Sequence, residues 1–111
     1  MNSGNSHACR SAPIEATTLL HKAGYDVLRT VGSSRFDLVA WKNGRVLFLV
    51  VRRSRNSGIS KWADDVFRLV DVVREGKVPG DVQFWVCRSG IWQRHQILPG
   101  GAAPVMGEWY S

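Results

Sequence analysis

The chain has 111 residues, 44% of them hydrophobic and 22% charged, with fifteen Lys and Arg against nine Asp and Glu for a net charge of +6. That length holds one domain with one modest core, and the composition excludes an intrinsically disordered chain. No apolar run approaches the roughly 18 residues of a membrane span, and residues 1–10 lack the apolar centre of a signal peptide. The reading is therefore a cytoplasmic protein, without a membrane partner, whose basic balance favours a polyanion such as nucleic acid.

Residues 1–10, rich in Asn, Ser, Gly and His, read as a flexible leader. His7 and Cys9 within it are too isolated to read as metal ligands. Cys9 and Cys87 lie in unlike contexts, one in the polar leader and one ending an apolar run, which reads as a pair of reduced thiols.

From Pro13 to Ala23 the spacing of Ala16, Leu19, Leu20 and Ala23 predicts a helix that stops at Gly24. Tyr25 to Val31 reads as a strand, followed by a Gly32–Ser34 connection. Phe36 to Trp41 and Val46 to Val51 are strand-like runs around Asn43-Gly44, a strong hairpin signal. The second run does not alternate, which predicts a central strand covered on both faces.

After an arginine-rich segment at 52–58, Ser60 is placed to cap a second helix reaching about Glu75, with Trp62, Val66, Leu69, Val70 and Val73 as its apolar stripe. Val82 to Cys87 and Ile91 to Leu98 read as the last two strands. A crossover helix between Val51 and Val82 predicts that the fourth strand runs parallel to the third. The folded domain is thus expected over 11–98, with a Gly- and Pro-rich tail over 99–111 ending in Trp109 and Tyr110.

With Asn43 and Gly44 as the turn, cross-strand partners sum to 87, which sets Ala40 opposite Leu47 and Asp37 opposite Val50. Alternation puts Arg52 on the face shared by Asp37 and Val50.

The stretch FDLVAWKNGRVLFLVVRRSR resembles the PD-(D/E)XK nuclease superfamily, and within it the archaeal Holliday junction resolvases. The resemblance covers roughly residues 13–98. It implies an α/β, restriction-endonuclease-like three-layer core in the order α-β-β-β-α-β-β, with a mixed central sheet. It places Asp37 at the family's metal-binding aspartate, Val50 at its glutamate and Arg52 at its lysine. Val50 offers no oxygen to Mg²⁺ or Mn²⁺, and a guanidinium does not give up a proton as an ammonium can. Glu15 is the candidate for the family's first-helix glutamate, though it falls about two residues, or some 200° of helix, later than that pattern; the simpler reading is a first-turn acid on the helix dipole. Asp64 and Asp65, twelve and thirteen residues after Arg52, are candidates for a carboxylate relocated to the second helix.

Phosphate contacts are expected from Arg29, Arg35, Arg52, Arg53, Arg55 and Lys61, with Ser33 and Ser34 in the adjoining loop. Trp41, Trp62, Trp85 and Trp92 are read as packing residues, and His21 and His95 as ordinary imidazoles without ligand partners. Three functions fit. The first is a nucleic-acid-binding domain, for DNA in particular, impaired in catalysis and needing no cofactor. The second is a Mg²⁺- or Mn²⁺-dependent endonuclease built on Asp37 with Glu15, Asp64 or Asp65. The third is a protein-interaction module; the resemblance also implies a homodimer.

Overall fold

Ala12, Ala16 and Leu20 lie one above another at four-residue spacing, and this stripe becomes the buried face of helix α1, Ala12–Lys22. Pro13 sits in its first turn, and the chain leaves it through Gly24 at φ +93°, a conformation glycine adopts without strain. The computed structural model describes residues 11–31, 35–55 and 58–105. The expected leader, Ser33, Ser34 and the Trp109–Tyr110 end lie outside them.

Strand β1, Asp26–Arg29, is shorter than the predicted run, because the chain turns away after Thr30. The N–H of Thr30 donates to the Asp37 carbonyl at 3.0 Å, and its hydroxyl donates to the Phe36 carbonyl, closing the loop base. Strands β2, Leu38–Lys42, and β3, Arg45–Ser54, form the predicted hairpin. Asn43 and Gly44 both have positive φ, at 54° and 78°, as the twist-matched two-residue turn requires.

Every β2–β3 pair from Leu38↔Leu49 to Lys42↔Arg45 keeps the predicted register. The ladder ends one residue before Asp37 and Val50, correcting the expectation that they pair directly. Asp37 instead donates its N–H to the Leu49 carbonyl at 2.8 Å, and its carboxylate takes the N–H of Val51. The strand also runs on through Ser54, past the predicted end at Val51, because residues 47–54 pair in parallel with strand β4, Asp81–Arg88.

Between them lies a short 3₁₀ turn, Ile59–Trp62, and then helix α2, Ala63–Arg74. Ser60 makes no capping hydrogen bond: it belongs to the 3₁₀ turn, and Trp62 occupies the position before the helix. Strand β5, Ile91–Leu98, follows, and a sixth strand β6, Gly101–Pro104, pairs with it in the segment read as tail. The six strands of the described residues form one sheet in chain order, with β3 and β4 parallel and the other neighbours antiparallel.

The strand alternation sorts the core into two clusters. Leu47, Leu49, Val51 and Trp85 face α1, whereas Val50, Val82, Phe84 and Val86 face Val66, Leu69 and Val70 of α2. Each fully buried side chain of this kind contributes about 1.5–3 kcal/mol of transfer free energy. The central strand is thus covered on both faces, as its unbroken apolar run predicted.

The packing role expected of the tryptophans holds for Trp85, 1% exposed, and for Trp92 against it. Trp41 is 41% exposed, because α2 does not extend over β2. Cys87 is disulfide-bonded, which corrects the expectation of reduced thiols; its partner lies outside the described residues. Pairing between segments so far apart in sequence cannot be read from their local contexts. Among the described residues no helix is long and apolar enough to cross a membrane.

Candidate functional site

Where β2 and β3 part, the Asp37 carboxylate turns back over the sheet. Its Oδ2 accepts the backbone N–H of Val51 at 2.8 Å and Nη1 of Arg52 at 3.0 Å. The same Nη1 donates to the Val51 carbonyl at 2.9 Å. Arg52 Nε lies 3.8 Å from Oδ2 of Asp65, whose Oδ1 accepts from Arg68 Nη1 at 3.1 Å. One guanidinium is therefore held between two carboxylates, one from the hairpin and one from α2.

The aromatic floor below it is supplied by Phe84 and Trp62, whose ring centroids lie 6.0 and 5.7 Å from the Arg52 guanidinium carbon. Lys61 Nζ is 5.1 Å from the Trp62 ring centre. Each such contact adds about 0.5–2 kcal/mol depending on desolvation. The Arg52 and Asp37 side chains remain 32% and 34% exposed, so their ion pair is accessible at the mouth of the site. Trp62 Nε1 is buried without a hydrogen-bond partner among the described residues.

Beside the pair opens a cleft of about 430 Å³ between the sheet and α2, walled by Arg35, Val50, Arg52, Asp65, Arg68 and Leu69. Asp71 and Glu75 line its far wall. Three guanidiniums and three carboxylates face one another there, so the cleft carries alternating charge rather than a uniform positive field.

Of the residues singled out in the sequence, Asp37, Val50, Arg52, Asp65 and Arg35 come together on this face. Asp64 is exposed at the start of α2 and lines a neighbouring hollow with Lys61 and Trp62. Glu15 sits in the first turn of α1, which packs on the opposite side of the sheet, and joins no ion pair or hydrogen bond to Asp37 among the described residues.

The arginines separate by strand alternation. Arg52 pairs with Val86, whose side chain is in the α2 cluster, while Arg53 pairs with Cys87 and turns to the α1 side. Arg29 lies on the α1 side too, two residues from Val27, which packs there. Arg55 is exposed beyond the end of β3, where its carbonyl accepts from the Ser89 hydroxyl at 3.4 Å. Arg68 and the Trp62 ring were not foreseen as parts of the site. The signal for Arg68 was present in its i, i+3 spacing from Asp65.

A divalent cation in a nuclease site wants carboxylate and carbonyl oxygens with room between them. The described residues do not fit that demand. Val50 is apolar and 2% exposed, Asp37 Oδ2 already accepts two donors, and Arg52 Nη1 stands between Asp37 and the Val51 carbonyl. Among the described residues no three His, Cys, Asp or Glu side chains gather in a metal-binding group.

No protein family and no curated protein matches the sequence. A solved structure does resemble the fold, that of Archaeoglobus fulgidus Hjc, described as a Holliday junction resolvase from an archaeal hyperthermophile. The likeness spans 76% of this chain and 74% of that one at a TM-score of 0.55 and 13% sequence identity. Over the described residues the chain thus has a mixed six-stranded sheet between two helices, an α/β architecture compatible with a restriction-endonuclease-like core and similar in fold to a junction resolvase.

Proposed function

We propose that this protein is a nucleic-acid-binding domain, for DNA in particular, that holds its ligand electrostatically and is impaired in phosphodiester cleavage. The observation that carries the reading is a resolvase-like fold on a chain of net charge +6. Phosphate neutralisation by Lys and Arg supplies most sequence-independent affinity for nucleic acid. Arg35 and Lys61 are exposed on the α2 side of the sheet, next to the ion pair, and are suited to that task.

The impaired chemistry follows from the residues at the centre. A buried valine and an arginine paired to Asp37 leave no vacant oxygen cage for a metal, and a guanidinium is a poor proton carrier. The competing endonuclease reading retains one supporting observation, the approach of Asp65 to the same guanidinium that holds Asp37.

Incubation with four-way junction, flap and duplex DNA, with Mg²⁺ or Mn²⁺, while following binding and cleavage together, separates the readings. Salt-sensitive binding without cleavage is the expected result. Cleavage abolished by Asp37→Ala would establish the endonuclease, and binding indifferent to salt would remove the electrostatic reading.

A further inference from the structure

The two helices leave part of the sheet without a partner. Helix α1 lies over β1, β2 and β3 on one side, and α2 lies over β4, β5 and β6 on the other. On the α1 side of β4 and β5 the register sets Gln83 opposite Gln96, Trp85 opposite Arg94 and Cys87 opposite Trp92, with no helix packed across them among the described residues. Yet this face is not bare. Trp92, Arg94 and both glutamines are half-buried, and Cys87 is 0% exposed although it belongs to neither core cluster. Burial also holds the Arg94 guanidinium below its ordinary pKa, offset in part by Tyr25. Cys87 is disulfide-bonded, and the chain's only other cysteine is Cys9.

We propose that residues 1–10 are docked on the α1-side face of β4 and β5, with a Cys9–Cys87 disulfide as their anchor.

The reach is sufficient. Cys9 stands three residues before Ala12, about 10 Å of extended chain. Ala12 is buried in the same cluster as Trp85, and Cys87 is two residues, about 7 Å, beyond Trp85 along β4. The chemistry also matches. Apart from Met1, Ala8 and Cys9, residues 1–10 are Asn, Ser, Gly, His and Arg. The face offers amides and a guanidinium around an aromatic pair: Gln83 Nε2 donates to Gln96 Oε1 at 3.1 Å, and the Arg94 guanidinium carbon lies 6.0 Å from the Trp85 ring centre. A polar segment covers such a face by hydrogen bonding, which an apolar one could not do. Closing the bridge oxidises two thiols to one disulfide and passes two electrons and two protons to a low-molecular-weight disulfide, which leaves as two thiols. The loop so closed, from residue 9 to residue 87, is about 80 residues long, and a loop of that length strongly restricts the unfolded chain.

This inference stands apart from the nucleic-acid reading, and its experiment contains no nucleic acid. Peptide mapping of the unaltered chain without reductant is expected to return Cys9 linked to Cys87 within one chain. Two free thiols, or a bridge between two chains, overturns the proposal. The docking is read separately by nuclear magnetic resonance, from the relaxation that a soluble gadolinium chelate imposes on the Trp92 indole N–H. Deleting residues 2–6, which keeps the bridge, is expected to raise that relaxation at least about twofold. The Trp41 indole, on the α2 side and 41% exposed, is the control and stays unchanged. An unchanged Trp92 signal after the deletion overturns the docking. Cys9→Ser is expected to lower the melting temperature by about 10 °C or more, and an unchanged melt overturns the anchor. Should Cys9→Ser not fold at all, the mapping and the deletion, both with the bridge intact, decide.

Discussion

Asp37 holds Arg52 and the residue before it with one oxygen: the carboxylate oxygen that accepts Arg52 Nη1 at 3.0 Å also accepts, at 2.8 Å, the N–H of Val51. The aspartate therefore does for β3 what a backbone carbonyl would have done had the hairpin ladder continued. Asp37 thus closes the open end of β3, and its charge is balanced by a residue of the same strand.

That double role makes Asp37→Ala costly. The Val51 N–H loses its acceptor and Arg52 loses its closest carboxylate, a destabilisation of about 2–3 kcal/mol, the salt-bridge share being modest at one-third exposure. Asp37→Asn retains an oxygen for the Val51 N–H and should cost roughly 1 kcal/mol. Urea unfolding of the two variants checks this; equal losses would mean that the backbone anchor contributes nothing.

The separation of basic residues by sheet face gives a second expectation. If DNA lies over the cleft, removing Arg35 and Lys61 together should lower the slope of log affinity against log salt by about two, one for each phosphate that is no longer neutralised. Removing Arg29 and Arg53, on the α1 side, should lower it by less than about one. Fluorescence anisotropy across a salt series measures both. A larger effect from the α1-side pair would place the nucleic acid on the other face.

The hairpin and central strand were legible in the sequence because Asn43-Gly44 and the unbroken run from Val46 to Val51 carry strong local signals. The meeting of Asp37 with Arg52 followed from that register, and Asp65 from its thirteen-residue distance. What escaped was non-local. Gly101, Ala102, Ala103 and Pro104 have little strand preference of their own and form β6 because β5 offers them an edge. Arg53 and Ser54 fell outside the predicted strand because their strand character comes from parallel pairing with Cys87 and Arg88. Trp62 looked like a stripe residue, and its position under two cations depends on the 3₁₀ turn that displaces it from the helix.

Gly80 tests how tightly the crossover returns to the sheet. A Cβ there would fall well inside van der Waals distance of the Val46 carbonyl oxygen and stand 3.1 Å from the Val46 Cβ, both in a strand that cannot easily yield. Gly80→Ala should cost about 1–3 kcal/mol, lowering the melting temperature by several degrees or more. Gly100→Ala, where a Cβ would meet nothing within 4 Å, is the control and should leave the melt nearly unchanged. Similar melts for the two would show that the β3–β4 junction relaxes freely.

His95 links stability to pH. Burial lowers its pKa below the ordinary 6.5, an effect only partly offset by the Phe84 carbonyl, 3.3 Å from Nδ1. Near neutral pH the ring is uncharged in both folded and unfolded chains. As pH falls through about 6.5 the unfolded chain takes up a proton that the folded chain still refuses, so stability declines with acidification until the lower folded value is passed. The slope attributable to this ring stays below one proton, and His95→Gln should remove it. Urea midpoints measured from pH 7.5 down to 5, with and without the substitution, give the difference directly. Stability that rises on acidification only when His95 is present would reverse the sign and point to a charged, paired imidazole in the folded protein.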